Sequence, residues 1–385
     1  MILPAARPPS NVRVQFQRPD LPPAAEIERY FTLSRDAGWF SNDGPCLRLL
    51  ADRISERLGG VECIPVANAT LGLMVALRAV TEQSPPAARE VVVPSFTYIA
   101  SVSAILWAGL TPVFVDIDSD NWHVTPSALT AAIESRGSRL ACALPCSTFG
   151  AAPPVGTRKA WEELAQRAGL PLVVDSAAGF GSLDEHGQAL GRQGDAEVFS
   201  FHATKPFAVG EGGVVITRRR DLADRMRSLT NFGLGGSRAL AGPPGLNAKL
   251  SEAPAAIALA VLDRYEQILA GRRRRARMLT ASLAPGGFTF QRNSERSTWQ
   301  FVPALAPSAS AREEILERAV QMGVELRTYH EPLHLMEQLR NQPVVGSMDV
   351  TADLGSRIVS LPMANDLDER SVELISATAL GDAGA

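Results

Sequence analysis

The sequence predicts an α/β fold in which a largely parallel sheet is covered by helices on both faces. Short runs rich in Val and Ile, apolar along their whole length, recur between Cys63 and Phe201, and helical patterns separate most of them. Strands that are apolar throughout are typical of sheets with both faces buried, and alternation with helices favours parallel strands. After about Gly245 the pattern changes, which indicates a second, smaller α+β domain.

Strands and helices alternate through the first part of the chain. The strands are predicted at residues 63–67, 90–93, 112–115, 141–144, 172–174 and 198–201. The helices between them are predicted at residues 71–80, 99–108, 126–133 and 159–168. Ligands of such sheets bind beyond the carboxyl ends of the strands, so the residues that follow each strand are the candidates for a functional site.

The segment Pro243-Pro244-Gly245 marks a break in this alternation. Beyond it the pattern predicts a long helix or helix pair at residues 251–283, strands at 288–291, 298–302 and 324–327, and helices at 311–322 and 369–377. We therefore expect a large domain at residues 1–247, which includes an N-terminal segment at residues 1–23, and a smaller C-terminal domain at residues 248–385.

Charge and cysteine content exclude several classes of function. The net charge of −3 over 385 residues produces no field that would attract nucleic acid or a membrane surface, and no segment is suited to span a bilayer. The four cysteines are too few for a disulfide scaffold, and none has a His or Cys neighbour at zinc spacing, so no metal site is predicted. We interpret them as buried thiols of a reducing compartment and expect a cytoplasmic protein.

A lysine follows the last of the predicted strands in the first part. Lys205 lies between the apolar run 196–201 and a glycine cluster at 210–213, and Pro206 favours extended or turn backbone at the lysine. Most lysines are solvated, and that interpretation stays open here. A lysine desolvated between a strand end and glycines would have a lowered ammonium pKa and could act as a nucleophile.

An aspartate ends the preceding strand. Asp175 follows an apolar run and precedes the small residues Ser176, Ala177 and Ala178. A carboxylate at the end of a buried strand needs a positive partner, which could be an arginine, a helix N-terminus or the protonated nitrogen of a ligand. Because Asp175 and Lys205 terminate neighbouring strand candidates, both could face one ligand.

Two earlier strand ends carry candidates with alternative interpretations. Asn68-Ala69-Thr70 opens a helix, so its backbone N–H groups could bind a phosphate, although an ordinary N-cap by Asn68 or Thr70 would give the same pattern. Tyr98 could stack on a planar ligand or could be a core residue. A lysine that forms a Schiff base, an aspartate that faces a pyridinium nitrogen and a phosphate cradle are together what pyridoxal 5'-phosphate (PLP) requires.

Several motifs resemble those of the DegT/StrS family of PLP-dependent sugar aminotransferases, which have the aspartate aminotransferase fold, fold type I. The resemblance covers nearly the whole chain and is carried by Gly44-Pro45, Asn68-Ala69-Thr70, Thr97-Tyr98, residues 111–116, residues 199–205, Gly210-Glu211-Gly212-Gly213, residues 245–247, residues 329–334 and Leu361-Pro362. It implies a large domain built on a mostly parallel, seven-stranded sheet covered by helices and a smaller C-terminal α+β domain.

The resemblance also implies roles for individual residues. Lys205 would bind PLP as a Schiff base and act as general acid/base, and Asp175 would keep the pyridine nitrogen protonated. Tyr98 would stack on the cofactor ring. The phosphate would be bound by backbone at Ala69 and Thr70 and by the Ser200 hydroxyl. Asn247 would reach the phosphate of a neighbouring subunit, which implies a homodimer with shared active sites.

The implied reaction moves an amino group from an amino acid, L-glutamate, to a nucleotide-linked keto-deoxysugar. A keto-cyclitol or another keto compound is the nearest alternative acceptor, and a non-catalytic PLP-binding regulatory homologue is an alternative from a different class. Related sugar dehydratases carry His at the lysine position, so Lys205 favours transamination.

This chain departs from the family pattern at three places. Ala178 stands where the family has a glutamine near the phenolic oxygen of the cofactor, and Lys249 stands where the family commonly has an arginine that makes a bidentate contact. The segment Asn68-Ala69-Thr70 replaces the usual Ser-Gly-Thr. The first two departures concern contacts that the chain must make differently or do without.

Three histidines are further candidates for substrate contacts. His202 precedes Lys205 by three positions and could orient the site or simply pack. His330 and His334 lie in the family segment near the sugar pocket, where a surface histidine or one satisfied by neighbours is the alternative.

Overall fold

The computed structural model describes residues 12–235 and 239–381. Residues 1–11 of the predicted N-terminal segment lie outside this range. The helices are α1 (Ala24–Asp36), α2 (Pro45–Arg57), α3 (Ala69–Thr81), α4 (Ile99–Trp107), α5 (Pro126–Arg136), α6 (Val155–Ala168), α7 (Arg220–Thr230), α8 (Glu252–Leu283), α9 (Ala309–Met322), α10 (Asp349–Arg357) and α11 (Glu369–Leu380). None of these described helices combines the length and the apolar character needed to cross a membrane.

The strands form one large sheet and one small sheet. They are β1 (Glu62–Val66), β2 (Glu90–Pro94), β3 (Thr111–Val115), β4 (Leu140–Ala143), β5 (Val173–Asp175), β6 (Ala196–Ser200), β7 (Gly213–Thr217), β8 (Thr289–Phe290), β9 (Val302–Leu305), β10 (Val344–Val345) and β11 (Ile358–Leu361). The small sheet has the order β11-β9-β8, and its strand pairs are antiparallel.

The large sheet consists of two four-stranded parts, β1-β7-β6-β5 and β10-β3-β2-β4. Parallel bridges from Ala143 to Leu172 and from Cys146 to Asp175 join β4 to β5. The order is therefore β1-β7-β6-β5-β4-β2-β3, with the two-residue strand β10 at the outer edge. Within it β7 runs antiparallel to both neighbours, and the other paired strands are parallel. The predicted α/β fold with a mostly parallel sheet is confirmed, and the short strand β10 adds an eighth strand to the seven that were predicted.

Some elements differ from the sequence prediction. The predicted strand at residues 324–327 is wrong, because only Val324 and Arg327 form single bridges, to Val14 and Ser360. The segment 298–302 is irregular until Val302, where β9 begins. The segment predicted as a helix or helix pair at residues 251–283 is one helix, α8.

Helix α8 packs in two apolar clusters. Its first half, including Leu259 and Tyr265, is buried with residues of α2 and β6, whereas Leu279 and Leu283 near its end are buried with residues of the small sheet.

The small domain predicted at residues 248–385 also contains β10, which pairs with β3 of the large sheet. The boundary at residue 247 stays a prediction.

A glycine allows β7 of the large sheet to meet the first turn of α3. Gly213 pairs with Ser200 across β7 and β6. A Cβ at Gly213 would lie 2.8 Å from the Phe199 carbonyl oxygen and 2.9 Å from the Ala69 nitrogen, closer than real Cβ contacts. The absence of a side chain therefore lets the β7 backbone approach the N-terminus of α3.

We expect Gly213→Ala to destabilise the protein by about 1–3 kcal/mol, because the added methyl group forces two backbone segments apart. The midpoint of urea unfolding measures the loss. Gly156→Ala is the matched control, since nothing lies within 4 Å of the position that its methyl group would take in α6 and alanine favours helix, so a change of about 0.4–1 kcal/mol in the stabilising direction is expected. Equal midpoints for the Gly213 variant and the native protein would contradict this account of the contact.

Candidate active site

Lys205 lies on a tight turn that follows β6. Its backbone N–H donates to the His202 carbonyl oxygen at 2.8 Å, and the Ala203 N–H donates to the Gly210 carbonyl oxygen at 2.7 Å. Pro206 follows directly and is buried. The turn places Lys205 beyond the carboxyl end of a central strand, where the sequence predicted the site to be.

The Lys205 amine is drawn into the protein. Its Nζ donates to the Gln300 Oε1 at 2.9 Å. Burial lowers the pKa of Lys205 to about 8, and the negative charge of Asp175 partly opposes this shift. Because the charged ammonium is destabilised by burial, a larger fraction of the amine is neutral near pH 8 than for a solvated lysine.

Asp175 ends β5 as a buried carboxylate, with 7% of its surface exposed. The Ser101 hydroxyl of α4 donates to its Oδ2 at 2.6 Å, and the Ala177 N–H donates to its Oδ1 at 3.0 Å. Burial raises the pKa of Asp175, while these hydrogen bonds and the charge of Lys205 act against the rise. Within the described chain no arginine lies at ion-pair distance from Asp175, and no N–H of a helix N-terminus donates to its carboxylate. A ligand cation is therefore the alternative that remains.

The N-terminus of α3 combines both interpretations of its sequence. The Asn68 side chain caps the helix, since its Oδ1 accepts from the Leu71 N–H at 2.9 Å. The N–H groups of Ala69 and Thr70, in the first turn, have no partner among the described residues. They therefore remain able to bind an anion.

Ser200 lies beside this helix end. It pairs with Gly213, whose missing Cβ leaves the Ala69 nitrogen open on that side. Ser200 is buried, and its Oγ accepts from the His202 N–H at 3.3 Å. The structure thus brings Ala69, Thr70 and Ser200 together at one sheet end, in a cradle that a glycine keeps open and that fits a phosphate.

Tyr98 is an exposed aromatic residue at the N-terminus of α4. It is 56% exposed, so the interpretation as a core residue is wrong. Its ring centroid lies 6.3 Å from that of His330. An exposed ring next to the strand end is available to a planar ligand.

The three candidate histidines have different environments. His330 stacks on Phe149 at 4.6 Å between ring centroids, and burial lowers its pKa to about 3, which keeps it neutral. The Nδ1 atom of His334 lies 2.7 Å from the Ser95 Oγ, and its backbone N–H donates to the same oxygen, so this histidine is satisfied by a neighbour. His202 is half-exposed and contacts Thr204.

Within the described chain the side chains of Asn247 and Lys249 do not hydrogen-bond to Lys205 or Asp175. Their backbone nevertheless joins the end of β1, where Lys249 bridges to Val66 and the Ala67 N–H donates to the Ala248 carbonyl oxygen at 2.8 Å. Asn247 is exposed and bridges to Asn231 through its backbone. The Lys249 Nζ donates to the Asn231 Oδ1 at 2.8 Å and lies 4.8 Å from the centroid of the Phe232 ring. The structure therefore does not join Asn247 to Lys205, and its role toward a neighbouring subunit stays a prediction.

Two functional candidates were missed by the sequence reasoning. Ser101 lies inside α4 and supports Asp175, and Gln300 lies 95 positions beyond Lys205 and contacts its amine. The one available signal for Gln300 was a polar residue between the apolar Trp299 and Phe301. Such a residue needs a hydrogen-bond partner when it is buried.

A cleft beside Lys205 is lined by two further parts of the chain. Residues from Gln17 to Asp20 close one side, and Met363 and Asn365 lie on another. Asn365 donates to the Asp20 Oδ2 at 3.0 Å and thereby ties the two parts together. This cleft adjoins the lysine turn but contains neither Asp175 nor the phosphate cradle, so it lies beside the candidate cofactor site and is not that site.

Comparison with known proteins identifies close relatives. The model of the DegT/DnrJ/EryC1/StrS aminotransferase family matches residues 23–379. Protein Rv3402c of Mycobacterium tuberculosis is 37% identical over 370 residues, which cover 95% of this chain and 89% of the relative. A Streptomyces kanamyceticus protein, provisionally named L-glutamine:3-amino-2,3-dideoxy-scyllo-inosose aminotransferase, is 32% identical over 82% of this chain and 77% of its own length.

Solved structures share the whole fold. The structure of DesI in the presence of its TDP-sugar product superposes with a TM-score of 0.85 and 30% identity, over 97% of this chain and 94% of that chain. The similarity therefore includes both the large sheet and the C-terminal part.

The lowered pKa of Lys205 predicts a specific dependence of stability on pH. Its folded pKa of about 8 lies below the ordinary 10.5, so between these values the unfolded state binds more protons and stability rises with pH. Lys205→Met removes this contribution. In cofactor-free protein, the difference in unfolding free energy between native and variant should change by up to about 3 kcal/mol across this range, at about 1.4 kcal/mol per pKa unit.

Urea unfolding at a series of pH values measures this difference. The exposed Lys159 of α6 supplies the control, since Lys159→Met should differ from the native protein by a constant amount at every pH. A constant difference for Lys205→Met as well would show that its amine is solvated.

Proposed function

Because the chain belongs to the DegT/DnrJ/EryC1/StrS aminotransferase family, we propose that it transfers an amino group from L-glutamate to a keto-deoxysugar carried by a nucleotide, giving an amino sugar. The protein is a PLP-dependent aminotransferase. The proposal rests on one observation. Lys205, Asp175 and the phosphate cradle defined above lie at the same end of one sheet.

The residues present fit PLP. The N–H groups of Ala69 and Thr70 and the Ser200 hydroxyl would hold its phosphate, and the Asp175 carboxylate would face its pyridine nitrogen. Lys205 would hold the aldehyde carbon, and Tyr98 would lie against the ring. When bound, PLP supplies an electron sink for the electrons of a broken C–H bond.

The chain's own groups would then move the proton. Lys205 lies at the carboxyl end of the sheet and has a pKa near the working range of a general base, so its amine can take a proton from the substrate carbon and return it at the cofactor. Asp175 favours a positive ring nitrogen because a buried carboxylate lacks any other strong cation partner. The Ser101 hydroxyl fixes the Asp175 carboxylate in its orientation.

The acceptor is proposed from the relatives. DesI was crystallised in the presence of its TDP-sugar product, which supports a nucleotide-linked sugar for this chain. The S. kanamyceticus relative, named for an inosose substrate, supports a keto-cyclitol as the second candidate. Both acceptors present a ring ketone, so the same amine-transfer chemistry serves either.

We further propose that the enzyme is a cytoplasmic homodimer. Large apolar side chains on α4, including Tyr98, Ile99 and Trp107, are exposed in the single chain. Exposed apolar surface of this kind favours contact with another protein. The family pattern implies that Asn247 of a second copy would then reach the phosphate. The four cysteines are free and buried, as in a protein of a reducing compartment.

We expect the purified protein to absorb at about 400 nm. Addition of L-glutamate should replace this band by one at about 330 nm, because the cofactor takes the amino group. A keto-sugar nucleotide should then restore the first band. Lys205→Arg should abolish both conversions, because a guanidinium cannot form the Schiff base. Lys159→Arg, at an exposed lysine, should convert like the native protein.

A panel that contains nucleotide-linked keto-sugars and keto-cyclitols decides between the two acceptors. A band that persists unchanged with every amino donor would favour a non-catalytic regulatory protein and would overturn the proposed activity.

A further inference from the structure

Gln300 contacts the reactive amine from outside the large sheet. It lies just before β9 and is 9% exposed. Its Oε1 accepts from the Lys205 Nζ at 2.9 Å, and its Nε2 donates to the Thr204 Oγ1 at 3.4 Å. Both ends of the carboxamide are therefore engaged by the turn that carries Lys205.

The orientation of this carboxamide follows from the donors around it. The Thr204 backbone N–H, which can only donate, points to the His202 Nδ1 at 3.2 Å, so Nδ1 is an acceptor and carries no proton. The Thr204 hydroxyl lies 2.9 Å from the same Nδ1 and must donate to it. Its oxygen is then free to accept from the Gln300 Nε2, which leaves Oε1 facing Lys205.

His202 completes this chain of hydrogen bonds at the surface. With Nδ1 as the acceptor, the ring carries its proton on Nε2, which lies 3.6 Å from the Glu211 Oε1. Every group from His202 to Lys205 thus has one consistent hydrogen-bond direction. The arrangement fixes the oxygen, rather than the amide nitrogen, against the amine.

The chemistry of an amide oxygen suits a lysine that must both hold and release a proton. A neutral oxygen accepts an N–H from the amine in either protonation state, whereas a carboxylate would strongly favour the ammonium. The other groups that act on the Lys205 charge are Asp175 on β5, which favours the ammonium, and His330, which is neutral. Arg272 of α8 lies along the same cleft and donates to the backbone oxygen of Gln300.

We propose that Gln300 is a positioning residue that holds the Lys205 amine beside the turn that carries it, at the carboxyl end of the sheet, whenever the amine is not bonded to the cofactor. This inference rests on the proposed role of Lys205. In each turnover the amine is released from the cofactor, and a long flexible side chain would then move away from the site. The contact with Gln300 keeps the amine in place, so it can act on the proton and rejoin the cofactor.

The test measures how fast Lys205 condenses with PLP. Full-length protein freed of cofactor is mixed with PLP, the amine and aldehyde combine with release of one water, and the product is followed by absorbance and trapped with borohydride. The rate is measured against pH for the native protein, Gln300→Leu and Gln300→Glu. The pH midpoint reports the pKa of the amine, and the plateau at high pH reports its placement.

We expect the midpoint of Gln300→Glu to rise by about one unit or more, because the new carboxylate stabilises the ammonium, so that its rate near neutral pH falls about tenfold. Gln300→Leu should have a midpoint below the native value and a plateau lowered about tenfold, since the amine loses its acceptor and its fixed position. Midpoints and plateaus equal in all three proteins would overturn the proposal.

Gln17→Leu is the matched control. Gln17 lines the same cleft and its Nε2 lies 3.4 Å from the Thr204 carbonyl oxygen, but it has no contact with the amine. Its variant should keep the native midpoint and plateau. If Gln300→Glu fails to fold, Gln300→Asn replaces it; the shorter amide should lower the plateau and leave no raised midpoint.

A second readout separates placement of the amine from damage to the cofactor site. The affinity for 4′-deoxypyridoxine 5′-phosphate, which has the cofactor's phosphate and ring but no aldehyde, should be unchanged in all Gln300 variants. A large loss of that affinity would show that Gln300 supports the pocket as a whole and would overturn the specific role. If borohydride leaves Lys205 unmodified in the native protein, the proposed function itself fails. If Lys205 is modified in the native protein and the Gln300 variants condense with PLP at native rates, only the role of Gln300 is rejected.

Discussion

The structure depends on the burial of two opposite charges at the end of one sheet. Removal from water lowers the pKa of Lys205 and raises that of Asp175, so burial favours the neutral form of each. Their mutual attraction offsets only part of this effect. A ligand with a positive ring nitrogen and an aldehyde satisfies the carboxylate and removes the ammonium, and so relieves both at once. Removal of the Lys205 amine and the Asp175 carboxylate from water therefore favours binding of the cofactor.

The sheet explains why these groups meet. Asp175 pairs with Val198, and Ser200 pairs with Gly213, so the ends of β5, β6 and β7 lie side by side. The antiparallel strand β7 returns the chain from the lysine turn into the sheet, between β6 and β1. Its first residue has no side chain, and this brings the sheet against the N-terminus of α3. Amine, carboxylate and anion cradle therefore have a common rigid support.

The sequence predicted what local pattern controls. Hydrophobic runs predict the apolar strands. The rule that ligands bind beyond the carboxyl ends of such strands then selects Asp175, which ends β5, and Lys205, which follows β6. The sequence could not predict Gln300, whose contact with Lys205 depends on how the C-terminal part packs on the large sheet. Taken alone, the strand pattern also could not choose between a ligand contact and a core position for Tyr98, because an aromatic residue after an apolar strand is usually buried. Burial is decided by tertiary packing and, for a subunit interface, by a second chain.

The same reasoning applies to the two departures from the family pattern. Ala178 offers only a methyl group and a backbone oxygen, and that oxygen accepts from the Thr298 hydroxyl at 2.6 Å. Two positions after Thr298 the chain supplies Gln300, so the segment that occupies the Ala178 carbonyl also delivers an amide to the amine. Lys249 likewise is engaged, by Asn231 and Phe232. The amide beside the Lys205 amine is therefore supplied by the segment before β9, whereas Ser101 of α4 and Asn231 supply the contacts to Asp175 and Lys249.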